Sequence, residues 1–119
     1  MVIFDTNVFV YAGNGSIDIS KLEGLEACYA SISIIEALGF QQITAAEQRA
    51  LQRLFEAYEN IDLSQSIIEQ AVKLRQNKKM SLGDSIIAAT ALEHDLTLWT
   101  ANTDDFHHIQ GLKLSNPLQ

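Results

Sequence analysis

The sequence predicts an α/β protein, a three-layer α/β/α sandwich around a central parallel sheet of four to five short strands. Three observations carry this. β-favouring runs alternate with segments of helical periodicity along the chain. The strand-like runs are too continuously apolar to leave one face in water. The segment Ile86 to Leu92 has almost no polar face, so a helix there must be buried on most sides.

Met1 to Phe4 reads as a buried strand, closed by the polar turn Asp5-Thr6-Asn7. Val8 to Tyr11 begins a short helix ended by Gly13-Asn14-Gly15, and a second short helical stretch falls around Ile19 to Leu25. Ala27 to Ser31 is the second strand. Ser33-Ile34-Ile35-Glu36 matches a capping box, which places Glu36 in the first turn of a helix running to Leu38 or Gly39. Thr44-Ala45-Ala46-Glu47 is another capping box, followed by Leu51, Leu54, Phe55 and Tyr58 at helical spacing. Asn60 to Leu63 is a third strand. Ser64 then caps a helix with the apolar stripe Ile67, Ile68, Ala71, Val72 and Leu74, and Glu69 and Lys73 at pairing distance on its surface. Ser81-Leu82-Gly83-Asp84 opens the buried helix, with Asp84 in its first turn. Leu96 to Thr100 is a strand that runs into Ala101-Asn102-Thr103-Asp104-Asp105-Phe106, and Leu112 to Leu114 adds a last short strand. No repeat, low-complexity stretch or linker divides the chain, so residues 1–119 read as one domain.

The lone Cys28 can form no internal disulfide, and Met1 leads directly into an apolar run instead of a basic signal segment, which together point to the cytoplasm. The run Ile86 to Leu92 is far shorter than the roughly 20 residues that span a bilayer, so no membrane association is expected. A formal charge of −7 argues at first against a nucleic-acid partner. Two bound divalent ions, however, would cancel four of those charges and make an acidic site attractive to phosphate. Lys73, Arg75, Lys78 and Lys79 also cluster in one stretch, which serves equally as a phosphate-contacting patch or as a solvated helix end complementing the dipole.

In open parallel sheets, ligands bind beyond the carboxyl ends of the strands. Asp5, Glu36, Asp84 and the pair Asp104/Asp105 all map to that rim, each by its own local argument. Singly, each is accounted for by a helix cap, an Asx turn or a solvated loop. Together, with Thr6, Asn7, Thr100 and Asn102 beside them, they describe a site. Carboxylates held close repel one another and call for a cation. A hard ion such as Mg²⁺ or Mn²⁺ suits an all-oxygen donor set, and two such ions can clamp a phosphodiester for hydrolysis. This chemistry needs no histidine. His94, His107 and His108 show no zinc-ligand spacing and read as surface or packing residues.

Four stretches then carry a family resemblance: Val2-Ile3-Phe4-Asp5-Thr6-Asn7-Val8; Ser33-Ile34-Ile35-Glu36; Leu82-Gly83-Asp84-Ser85-Ile86-Ile87-Ala88-Ala89-Thr90-Ala91; and Leu98-Trp99-Thr100-Ala101-Asn102-Thr103-Asp104-Asp105-Phe106. Their order resembles the PIN-domain family, in particular its short bacterial VapC-type members. The resemblance implies that Asp5, Glu36 and Asp84 bind Mg²⁺ or Mn²⁺, with Thr6 and Thr100 orienting them. The last acidic position falls to Asp105, with Asp104 as substitute, because Asn102 stands where an Asp is common. It further implies an endoribonuclease acting as the toxin of a type II toxin–antitoxin module, a homodimer, restrained by a VapB-type antitoxin. Two alternatives stay open. One is a PIN-like binding or assembly module without catalysis. The other is a phosphatase like the haloacid dehalogenases, whose motif needs a second Asp where this chain has Asn7.

Overall fold

The computed structural model describes residues 1–117. Five strands form one parallel sheet: β1 (Val2–Phe4), β2 (Ala27–Ala30), β3 (Glu59–Ile61), β4 (Thr97–Trp99) and β5 (Lys113–Ser115), in the order β3-β2-β1-β4-β5. Five helices connect and cover them: α1 (Thr6–Gly13), α2 (Ile32–Leu38), α3 (Ala45–Glu56), α4 (Gln65–Asn77) and α5 (Leu82–Glu93).

β1 lies at the centre, with Ile3 in register with Cys28 and Leu98, and Phe4 with Trp99. Successive side chains of a strand point to opposite faces, and the core divides accordingly. Ile3, Cys28, Ala30 and Leu98 pack with Ile67, Ala71 and Leu74 of α4 and with Ile87, Ala88 and Ala91 of α5. Phe4, Ala27 and Tyr29 pack on the other side with Val8 and Phe9 of α1 and with Leu51 and Phe55 of α3, and Trp99 leans on this cluster. This is the α/β/α layering expected from the sequence. It explains why the strands read as unbroken apolar runs, since Ile3 and Phe4, on opposite faces, are both fully buried, each contributing about 1.5–3 kcal/mol by leaving water. The alanines of α5 let that helix lie close against both the sheet and α4.

Three element starts differ from expectation. α1 begins at Thr6, not Val8, because Asp5, in extended backbone, already stands at its N-cap position. The helical stretch expected over Ile19 to Leu25 shrinks to a 3₁₀ turn at Ile19–Lys21, held by Asp18 accepting from the Ser20 N–H. α2 begins at Ile32 with Ser31 at its cap position, so Ser33 lies inside the helix and Glu36 in its second turn. The capping box expected there does not form, whereas that of Thr44 and Glu47 forms both of its hydrogen bonds. Glu69 is bonded to Gln65 and not paired with Lys73.

Candidate active site

The chain enters β2 and β3 on one side of β1 and returns through β4 and β5 on the other. The crevice beyond the ends of β1 and β4 is therefore the topological switch point, where open α/β sheets bind ligands. Asp5 and Thr100 stand there. The Asp5 N–H donates to the Trp99 carbonyl at 2.9 Å, which carries the β1–β4 pairing one step further and fixes Asp5 at the sheet's edge. Its carboxylate makes no cap hydrogen bond to α1. It accepts instead from the Thr100 hydroxyl at 2.8 Å, and that hydroxyl in turn accepts the Asn102 N–H at 2.9 Å.

Asp5 is 3% exposed. Burial pushes its carboxyl up to about 6; the Thr100 hydroxyl offsets part of this, and the negative charges of Asp84 and Glu36 add to the rise. Asp84 is raised by burial too, partly offset by Ser81, with Asp105 and Glu36 as its charged neighbours. The acids expected at the rim thus feel one another across a single site: Asp5 on the buried floor, Asp84 half-buried, Glu36 and Asp105 open to solvent.

Glu36 reaches this site through two contacts. The Thr6 hydroxyl donates to its Oε1 at 2.7 Å and lies 2.8 Å from the Ser33 hydroxyl, which explains why Ser33 is unavailable as a cap. Its carboxylate also rests against Gly83, where an added Cβ would collide with it and lie 2.9 Å from Oε1. Gly83 is in the first turn of α5, whose N-terminus carries partial positive charge, so the missing side chain lets an acid meet the helix end directly. Ser81 caps that helix by accepting the Asp84 N–H at 3.1 Å, which fixes Asp84 in the first turn of α5 beside the site.

Asp104 and Asp105 lie in a 3₁₀ turn, Thr103–Asp105, whose cap position is Asn102. Both line a cleft of about 200 Å³ together with Asp84, Ser81, Lys78, Lys79, Met80 and His108. Of these two aspartates, Asp105 is the one whose charge raises Asp84, together with that of Glu36. Asn7 sits half-buried in the first turn of α1. The basic stretch divides: Lys78 and Lys79 line the cleft, Lys73 is exposed on α4, and the Arg75 side chain donates to the Met80 carbonyl at 3.3 Å. His108 was unmarked by any sequence signal except its closeness to Asp105. A turn that brings residues 104, 105 and 108 to one wall is the only feature that could have found it.

Among the described residues, no three acidic, histidine or cysteine side chains gather tightly enough to enclose a metal ion by themselves. The donor set nonetheless fits a hard cation held openly. All donors are carboxylate oxygens, a buried one repelled by its neighbours gains most from a positive charge, and Mg²⁺ keeps several waters while bound through one or two carboxylates. Asp5 and Asp84 could supply such carboxylates, with Glu36 and Asp105 at the solvent side.

A family model described as the PIN domain matches residues 2–112. Solved structures match along nearly the full length. A toxin–antitoxin complex from Klebsiella pneumoniae is 31% identical, with 98% of each chain covered and a TM-score of 0.77. VapBC2 from Rickettsia felis, bound to a DNA fragment from its promoter, is 26% identical, with 98% of each chain covered and a TM-score of 0.84. VapBC-1 from nontypeable Haemophilus influenzae, at 22% identity, 100% coverage of both chains and a TM-score of 0.80, shares the fold. No curated protein gives a significant match. With acids gathered at the switch point of a β3-β2-β1-β4-β5 sheet, and a family match over almost its whole length, the chain belongs to the PIN-domain family.

Proposed function

We propose that the chain is a Mg²⁺- or Mn²⁺-dependent endoribonuclease, the toxin of a type II toxin–antitoxin pair. The observation that carries the reading is the gathering of Asp5, Asp84 and Glu36 at the switch point around the buried Asp5 carboxyl, where burial and the neighbouring acids disfavour its charge until a cation offsets it. A bound divalent ion would supply Lewis-acid activation of the scissile phosphodiester and of the attacking water. The chain's own residues do the rest. Asp5 and Asp84 would hold the ion, and the Thr100 hydroxyl, by donating to the Asp5 carboxylate, would fix its orientation. Thr6 and the gap at Gly83 aim Glu36 inward. Asp105, at the open side, is placed to accept a proton from water, with Asp104 beside it in the same cleft.

The same reading includes two protein partners. The relatives solved as toxin–antitoxin complexes support a cognate VapB-type antitoxin. An apolar groove of about 200 Å³, formed by Val10, Ala37, Phe40, Ile43 and Leu51 with Glu36 at its lip, offers a seat from which an antitoxin segment would cover the acids. A homodimer is supported by a second apolar face. Ile35, Leu63, Ile68, Val72 and Leu82 are each 40–67% exposed, and two adjoining hollows share Leu63 and Ile86. Contiguous apolar surface of this kind marks interaction sites.

The test is direct. Purified protein with Mn²⁺ should degrade RNA, and Asp5→Asn or Asp84→Asn should abolish the activity. Equal cleavage by wild type and both variants, or by wild type in excess chelator, refutes the metal mechanism. A PIN-like module that only binds would show neither cleavage nor stabilisation by Mn²⁺ when freed of antitoxin.

A further inference from the structure

α4 ends at Asn77, and Lys78 adopts extended backbone at φ −155° and ψ 145°. This carries Lys78 and Lys79 off the helix and into the wall of the cleft that holds Asp84, Asp104 and Asp105. Among the described residues neither lysine makes an ion pair, so their ammonium donors are not consumed by the neighbouring acids. His108 completes the wall. Its Nδ1 is the one buried side-chain polar atom of the described residues with no hydrogen-bond partner. An enclosed N–H without an acceptor is rarer than an enclosed acceptor without a donor, so the ring proton belongs on Nε2, leaving one directional donor. Burial, then the charges of Lys78 and His107, lower the ring's proton affinity.

We propose that Lys78, Lys79 and His108 form a phosphate-binding wall that seats a backbone phosphate of the RNA substrate alongside Asp84 and Asp105. The inference rests on the nuclease reading above. Two lysines face three aspartates in this cleft, so phosphate is accepted only once a divalent ion has offset the acids, which couples substrate seating to metal loading.

The experiment measures cleavage of a short single-stranded RNA in Mn²⁺ across a salt series, and anisotropy of the same RNA in Ca²⁺. The proteins are wild type, Lys78→Ala, Lys78→Arg, His108→Phe and His108→Gln, with Lys21→Ala as a control on the 3₁₀ turn before β2. Lys78→Ala should raise KM and the Ca²⁺ dissociation constant about tenfold, with kcat within about twofold, and lower the salt slope by roughly 0.7. Lys78→Arg should restore both. His108→Phe should raise KM several-fold, and His108→Gln, which keeps a donor, should recover most of it. Wild type that cleaves RNA while Lys78→Ala and His108→Phe keep its KM and salt slope overturns the wall and leaves the nuclease intact. Losses confined to kcat, or shared by Lys78→Arg and His108→Gln, also overturn it. Wild type that fails to cleave RNA with Mn²⁺ overturns the nuclease reading and the wall together.

Discussion

Gly83→Ala separates the site from the fold more cleanly than removal of any acid. The added methyl would strike the Glu36 carboxylate, which is the mobile end of an exposed side chain, so the collision is relieved by moving Glu36 and not the backbone. Two effects on stability oppose each other. Alanine favours a helix over glycine by up to about 1 kcal/mol. Displacing Glu36 breaks its charge-assisted bond from Thr6, worth about 1.5–3 kcal/mol when buried and less here, where water re-solvates the carboxylate. The net change should therefore stay within about 1–2 kcal/mol, a shift of only a few degrees in Tm. Activity should respond far more, because a displacement of about 1 Å in a catalytic group can cost on the order of 10²-fold. The assay is RNA cleavage in Mn²⁺ alongside thermal melting, with Glu36→Ala and the double variant completing a cycle. If Glu36 acts from its place against Gly83, the double variant loses no more than either single one. Gly83→Ala with wild-type turnover would refute the reasoning.

Thr100→Val should cost about 1–3 kcal/mol by removing a buried donor to Asp5 and stranding the Asn102 N–H, with cleavage falling at least tenfold; unchanged melting and activity would count against the orienting role. In chelator, Asp5 binds its proton more tightly when folded, near 6, than at its unperturbed 3.8. Its contribution to stability is thus fully present below about pH 4 and lost as pH rises through 6, by at most about 3 kcal/mol, with Asp84 acting in the same direction. Asp5→Asn should flatten that dependence in pH-dependent melts and raise the metal-free Tm at pH 7; an unaltered profile would contradict the burial and repulsion assigned to Asp5. Val72→Glu with Leu82→Glu should convert a dimer to a monomer by light scattering without lowering helix content, and a variant that keeps the wild-type mass would remove this face as the interface.

Much of this was legible in the sequence where a residue's role is set by its immediate neighbours. Unbroken apolar runs announced strands covered on both faces, and the caps at Thr44, Ser64 and Ser81 all form as their spacing indicates. Asp5 was readable because a strand end followed by a helix start leaves few places for it to point. Ser33 was misread for the opposite reason. Its spacing to Glu36 is that of a capping box, but Thr6, 27 positions away, claims its hydroxyl, and the cap position falls two residues earlier, at Ser31, with the helix beginning at Ile32. No local pattern records a contact across that distance. The same holds for Gly83, whose importance depends on a carboxylate brought from α2, and for His108, which matters only once the turn at Thr103–Asp105 folds it toward Lys78. The division of the basic stretch was hidden as well, since it depends on α4 stopping at Asn77 and turning Lys78 into extended backbone.

The most direct measurement is diffraction from Mn²⁺-soaked crystals, with anomalous scattering to locate the ion. The account expects a peak coordinated by Asp5 and Asp84, with Glu36 or Asp105 reached directly or through water, and its loss in Asp5→Asn crystals. Strong anomalous density elsewhere on the surface, with none between Asp5 and Asp84 at saturating Mn²⁺, would contradict it.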